Sequence, residues 1–276
     1  MPEGDTVWLA GRRLHDALAG RALTRTDFRV PQLATVDLAG QVVSGVLSRG
    51  KHLLTRIGRD LTLHTHFMMD GAWHLYRPGD SWRGGPDFEV RVVLETDEWH
   101  AVGYRLPVIE LLPRGEEHRA VQHLGPDLLG PDWDLDEALR RLRSRPDREI
   151  GDALLDQRNL AGIGNLYKVE VLFLQGVSPF TPVGAVRDLA RLVERARLLL
   201  EANKDSAWQI TSGDGRRGHE HWVYGRHGRP CRRCGTRIDQ AMQGEPPYDR
   251  MTWWCRHCQP VPAMTPAPSS ARPHPR

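Results

Sequence analysis

All four cysteines of this 276-residue chain fall between positions 231 and 258, as Cys231-x2-Cys234, twenty intervening residues, and Cys255-x2-Cys258. No other feature restricts the fold as tightly. Each Cys-x2-Cys pair can close around one metal from a tight turn, and four thiolates fill a tetrahedral zinc site with no open position. One structural Zn2+ is therefore expected, the alternative being four buried, reduced thiols. Pro246-Pro247 and its polar neighbours fit a turn between two strands, which gives a hairpin pinned at its base by the metal. Arg250 should stand near that turn, with Trp253 and Trp254 packed towards the metal.

No cysteine is left elsewhere for a disulfide framework. The chain has no run of eighteen apolar residues and no charged-then-apolar start, so a cytoplasmic protein with no membrane partner is expected. Between Val223 and Pro260 seven arginines face three acids, so positive charge concentrates on the cysteine segment. Lysine is rare, at positions 51, 168 and 204 only, among 38 basic residues. Where arginine has replaced most lysines, a lysine that remains hints at a specific role.

The periodicity divides the chain. Val7, Ala10, Leu14, Ala17 and Leu18 lie at helical spacing, predicting a first helix from Gly4 to Leu18 that stops at Gly20. From Ala22 to about Glu110 the texture is short Val/Leu/Thr-rich runs, among them 41–47, 52–57, 61–66 and 88–94, which read as an antiparallel sandwich or barrel. Gly125-Pro126-Asp127 and Gly130-Pro131-Asp132 mark a linker or domain edge. Helices are expected over 135–142, 150–157, 166–175 and 189–200. The fold class is α+β: residues 1–124 form an N-terminal antiparallel β-sandwich with flanking helices, 125–222 a helical domain, and 223–260 the zinc hairpin. Residues 261–276, rich in Pro, Ala and Ser, are expected to be a disordered tail.

Chemistry concentrates at the start. With Met1 removed, which a small second residue favours, Pro2 is a secondary amine whose attack on an aldehyde-like carbon gives an iminium, a good electron sink. An α-amine titrates near pH 8 against roughly 10.4 for lysine, so about a tenth of it is neutral near pH 7. Glu3 stands within reach as proton donor and acceptor. Pro and Glu also suit the first turn of any helix, so the pair alone does not decide the matter. Leu160 to Asn165 should form a tight double turn between two helices, with the free N–H groups beginning at Asn165 suited to an anion such as a nucleic-acid phosphate. Gly50-Lys51 lies in a basic loop able to meet a phosphate, without the spacing of a nucleotide-triphosphate loop. His64-x-His66 and His219-x-His221 read as packing or surface histidines rather than metal ligands.

Taken in order, Met1-Pro2-Glu3-Gly4, Ser48-Arg49-Gly50-Lys51, Gly162-Ile163-Gly164-Asn165, the tract Val223 to Cys231, and Cys255-x2-Cys258-Gln259 resemble the formamidopyrimidine-DNA glycosylase and endonuclease VIII family of base-excision repair enzymes. The resemblance runs from Pro2 to about Pro260 and is closest to the endonuclease VIII branch. It implies a bifunctional DNA glycosylase/AP lyase with a helix–two-turns–helix motif and a zinc finger. Pro2 is then the nucleophile on C1′ and Glu3 the acid/base. Lys51, Asn165 and Arg250 hold phosphates around a flipped nucleotide, and Lys51 and Arg250 also belong to the catalytic set. Met68 and Met69, with Asp70, sit where the family places the wedge that fills the gap left by the flipped base; one of the two methionines is expected to be core instead.

The partner implied is damaged double-stranded DNA, bound by a monomer in a positive groove between sandwich and helices, with the protein associated with the nucleoid. Gly4 is the endonuclease VIII form. The short loop Ser212 to Gly218 leaves little material for a lid over an oxidised purine, so oxidised pyrimidines such as thymine glycol are the expected substrates. Two departures stand out: Thr6 where many members carry a second glutamate, and Asp70 in place of a bulky wedge residue. The competing readings are a relative that prefers oxidised purines and a zinc-ribbon DNA-binding protein without chemistry, which leaves Pro2-Glu3 unexplained.

Overall fold

A computed structural model of the chain describes residues 2–261. The expected tail lies, apart from Val261, outside the described residues. Helix α1 spans Gly4–Leu18 as its apolar spacing predicts, burying Val7, Leu14, Ala17 and Leu18 against the sheets behind it.

Eight strands follow: β1 (Arg25–Phe28), β2 (Val43–Arg49), β3 (His52–Ile57), β4 (Leu61–His66), β5 (Ala72–Tyr76), β6 (Val90–Glu95), β7 (His100–Tyr104) and β8 (Val108–Pro113). They make two antiparallel four-stranded sheets, ordered β1-β6-β7-β5 and β2-β3-β4-β8. Val46, Leu53, Leu63, Val92, Leu94 and Ile109 are among the inward residues that, with α1, form one apolar core. This is a sandwich, and β3 and β4 occupy the runs read from sequence. Phe88 and Glu89, expected in strand, instead form a 3-10 turn before β6, and Phe88 is exposed.

A short helix α2 (His118–Val121) leads to α3 (Leu135–Arg143), α4 (Ile150–Leu155), α5 (Asn165–Gln175) and α6 (Leu189–Asn203). Leu139, Leu142, Ile150, Leu154, Leu172 and Leu192 help build their common core. The stretch between the halves is no loose linker. Leu124, Gly125, Pro126, Asp127 and Leu128 are all buried. Asp127 accepts the Gly50 N–H at 2.7 Å and that of Leu129 at 3.1 Å, so its carboxylate fastens the β2–β3 turn to the helical half. Helix α4 ends two residues short of the expected Gln157, whose side chain is needed to bridge the following loop. It donates to Leu155 O and Ile163 O and accepts from Gly162 N.

The hairpin β9 (Asp239–Gln243) and β10 (Arg250–Trp254) completes the chain, joined through the Pro246-Pro247 turn. Trp253 packs with Cys231 and Cys255 as expected. Trp254 does not: it points the other way and meets Phe180 edge to face at 4.9 Å, because alternate residues of a strand face opposite sides.

Candidate active site and nucleic-acid cleft

The centre of the molecule is the Glu3 carboxylate, fully buried at the N-terminus of α5. Its two oxygens accept the N–H groups of Gly164 and Leu166, each at 2.7 Å, and that of Tyr167 at 3.4 Å. These are orphan donors of the first helical turn, which favour a carboxylate. The approach demands glycine on both sides. A Cβ on Gly164 would meet Glu3 Cδ at 2.4 Å, and one on Gly4, whose N–H donates to Gly162 O, would meet Gly162 Cα at 2.9 Å. Gly162 itself holds φ at +102°, open to glycine at little cost.

Burial raises the Glu3 pKa, Lys51 opposes it, Asp5 adds to it, and the two short N–H contacts lower it, leaving the group at about 7. A carboxyl so placed can both give and take a proton near neutrality. Lys51, in the β2–β3 turn, is itself pushed down, first by burial and next, against the pull of Glu3, by Arg250.

In front of Glu3 opens a cleft of about 1390 Å³ between the sandwich, the helices and the hairpin. Pro2, Lys51, Met68, Met69, Asn165 and Arg250 all line it, so six residues named from sequence share one wall system; Glu3 lies behind it. Asn165 donates from Nδ2 to Met251 O at 2.8 Å, while its Oδ1 has no partner. That bond ties α5 to the strand carrying Arg250. Arg250 donates to the Pro247 and Asp249 carbonyls and makes no ion pair among the described residues.

Neither methionine of the expected wedge is core. Met68 is 54% and Met69 52% exposed, and Met68 sits at φ +49°, an uncommon backbone region for a non-glycine residue. The loop is held from behind, since Arg105 Nε donates to Asp70 O and Met68 N–H donates to His66 Nδ1.

The histidine pairs hold no metal-like group. His64 bridges His52 (2.9 Å) and Glu110 (2.9 Å), and only His66 reaches the cleft. Burial and then the charge of Lys51 push His66 down to about 4, which keeps its ring neutral at pH 7. His219 lies against Arg232 and Asp214, and His221 against Gln209 O. The loop from Ser212 to Gly218 folds back on itself, with Ser212 Oγ donating to His219 O and Asp214 pairing with Arg216.

Among the described residues one group is arranged to hold a metal ion, the four cysteines, whose ligand atoms all lie within 4.8 Å of one another. Their closest sulfur separations, 3.5 and 3.9 Å, are near the roughly 3.8 Å edge of a tetrahedron with 2.3 Å metal–sulfur bonds.

Two polar clusters were not visible in the sequence as sites. Asp5, buried, accepts from Tyr167 Oη at 2.7 Å and from Gln209 Nε2 at 3.0 Å on both oxygens. Lys168, fully buried on α5, donates to Thr252 Oγ1 at 2.5 Å and more weakly to Gln243 Oε1, and Gln243 in turn donates to Glu149. The scarcity of lysine marked Lys168 out; its use as the bolt between α5 and the hairpin needed the structure.

Residues 1–106 match the model of the formamidopyrimidine-DNA glycosylase N-terminal domain and residues 124–203 that of the formamidopyrimidine-DNA glycosylase H2TH domain. The fold is that of MutM solved with carbocyclic 8-oxo-G DNA (TM-score 0.78, 24% identity, 94% of this chain and 99% of that one). It is equally that of Lactococcus lactis Fpg bound to abasic-site DNA (TM-score 0.77, 23% identity, 94% and 100%). The two family matches define the class, a DNA glycosylase. In sequence the chain is 58% identical to a probable endonuclease 8 2 of Streptomyces coelicolor, over 96% of each protein. It is 48% identical to the DNA-(apurinic or apyrimidinic site) lyase Nei2 of Mycolicibacterium smegmatis, over 94% of this chain and 99% of the relative. The chain belongs to the formamidopyrimidine-DNA glycosylase/endonuclease VIII family.

Burial lowers the Lys168 pKa to about 7, partly offset by Asp152 and Glu3. A lysine depressed in the folded state costs stability below its folded pKa, and the cost fades as pH rises towards the unfolded value of 10.5. The native protein should therefore gain stability relative to Lys168→Met between pH 7 and 10, on the order of 2 to 4 kcal/mol, measured by denaturant unfolding at several pH values. Parallel pH curves for the two proteins would contradict the assignment.

Proposed function

We propose that the protein excises oxidised pyrimidines from double-stranded DNA and cuts the strand through an iminium formed on Pro2. The observation that carries this reading is the shared cleft: the Pro2 end of the chain lines it together with Lys51, Asn165 and Arg250, directly in front of a buried carboxyl that titrates near neutrality.

Once Met1 is removed, the neutral Pro2 nitrogen attacks C1′ of a nucleotide turned out of the stack, and the damaged base leaves with the electrons of the glycosidic bond and takes up the proton that the nitrogen sheds. Glu3 donates a proton to the sugar ring oxygen, so the ring opens as nitrogen and carbon form the iminium. The iminium acidifies C2′; loss of that proton expels the 3′ phosphate, and a second elimination expels the 5′ phosphate. Lys51, Asn165 and Arg250 hold the phosphates flanking the lesion, and Met68 and Met69, apolar and flexible, fill the vacated stack. The shortness of the Ser212–Gly218 loop, which folds back on itself, is the ground for preferring a pyrimidine to a larger purine.

Incubation with abasic-site duplex and borohydride should trap a covalent adduct that survives Lys51→Ala and disappears with Pro2→Gly or an N-terminal extension. Absence of any adduct would favour a DNA-binding protein without chemistry. Run on duplexes with single lesions, the assay should give faster release of thymine glycol than of 8-oxoguanine, and the reverse order would transfer the substrate class to purines.

We also infer that the metal is one zinc ion held by Cys231, Cys234, Cys255 and Cys258. The ion would supply no chemistry; the cysteines would fix the base of β9 and β10 and so the height of Arg250 above the cleft. Removing it with a chelator should lower the melting temperature and abolish binding to abasic-site duplex, with one zinc released per chain by elemental analysis. Unchanged folding and binding after zinc loss would rule out this role.

A further inference from the structure

The proposed mechanism leaves one buried acid of the N-terminal segment unused. Its neighbour Thr6 is half-buried and makes only long side-chain contacts, donating to Asp5 Oδ1 at 3.4 Å and accepting from Gln209 Nε2 at 3.5 Å. Asp5 is the buried one. It is 1% exposed, yet it accepts hydrogen bonds on both oxygens, from the Tyr167 hydroxyl and the Gln209 amide, and donates none. An acceptor-only pattern of that kind suits an ionised carboxylate, and burying one costs several kcal/mol unless its partners are fixed.

The partners connect Asp5 to Glu3. Tyr167 gives its backbone N–H to Glu3 and its hydroxyl to Asp5, so one residue of α5 touches both acids. Gln209 belongs to the segment after α6 and is anchored beside its own contacts, since Asn203 accepts the neighbouring Ile210 N–H and donates to Ile210 O. Burial opposes the ionisation of Glu3 most, Lys51 on the β2–β3 turn favours it, and the fixed Asp5 anion adds to the opposition. The other charged or titratable groups around Glu3 are the adjoining Pro2 amine, Lys168 and Tyr167 on α5, and Tyr224 ahead of the cysteine hairpin.

We propose that Asp5, held by Tyr167 and Gln209, is a positioning residue for the reaction: fixed beside Glu3 through their shared partner Tyr167, it helps burial hold the proton on Glu3. The same contact makes the segment after α6 part of the acid's environment, so that any displacement of Gln209 is felt at Glu3. The proposal rests on Glu3 acting as the acid in the cleavage reaction.

The test is the single-turnover rate of cutting an abasic-site duplex against pH. In the wild type one break in the profile near pH 7 belongs to Glu3, identified by its disappearance in Glu3→Gln. Asp5→Asn should move that break down by about half to one pH unit and lower the rate at pH 7.5 about three- to tenfold. Borohydride trapping at saturating DNA should still reach completion. Because Asp5→Asn can also weaken folding, Gln209→Lys provides an independent arm: the position is half-exposed, and a cation there offsets the Asp5 charge, so the break should again move down. A break unmoved in both variants, whatever their melting temperatures, would overturn the role of Asp5. Absence of wild-type trapping, or a break that survives Glu3→Gln, would instead remove the mechanism on which it rests.

Discussion

Everything in this molecule turns on one buried carboxylate meeting one helix end. Glu3 belongs to the first turn of the sandwich half, and the N–H groups of Gly164, Leu166 and Tyr167 belong to the start of α5. Those donors would be unsatisfied without it, and the carboxylate would be too costly to bury without them. The contact therefore joins the two halves and fixes the carboxyl in place, while burial, against the pull of those same hydrogen bonds, raises its pKa. It also explains why glycine is required at 4 and 164, where the backbone and the acid leave no room for a Cβ.

Around that contact the cleft is assembled from three directions. The sandwich brings Lys51 and the exposed methionine loop, the helices bring Asn165, and the hairpin brings Arg250. Each is tied back to a neighbour: Asp127 holds the turn before Lys51, Arg105 holds the methionine loop, and Asn165 and Lys168 hold the hairpin through Met251 and Thr252. The four cysteines set the hairpin from its far end. Few of these supports touch the cleft, yet they decide which way its polar groups point.

Local signals carried much of this. The apolar spacing of α1, the alternation in β3 and β4, and the Cys-x2-Cys pairs each follow from a rule acting over a few residues, and each appears where those rules put it. What escaped depends on distance. Asp5 reads as an ordinary first-turn acid, because the amide it binds lies 204 residues away. Gly125-Pro126-Asp127 reads as a linker or domain edge, and its burial escaped because its turn chemistry is local and its packing is not. Met68 and Met69 could not be sorted into core or surface by type, since methionine serves in both; the strained backbone at Met68 and the open cleft settle it.

The central claim is that chemistry occurs on the Pro2 nitrogen while Glu3 stays at the head of α5. The structure of the borohydride-reduced complex with abasic-site duplex tests both at once. A single covalent bond should run from the Pro2 nitrogen to C1′, with Glu3 still accepting from Gly164 and Leu166. A bond to the Lys51 ammonium nitrogen, or a Glu3 side chain swung away from α5, would contradict it.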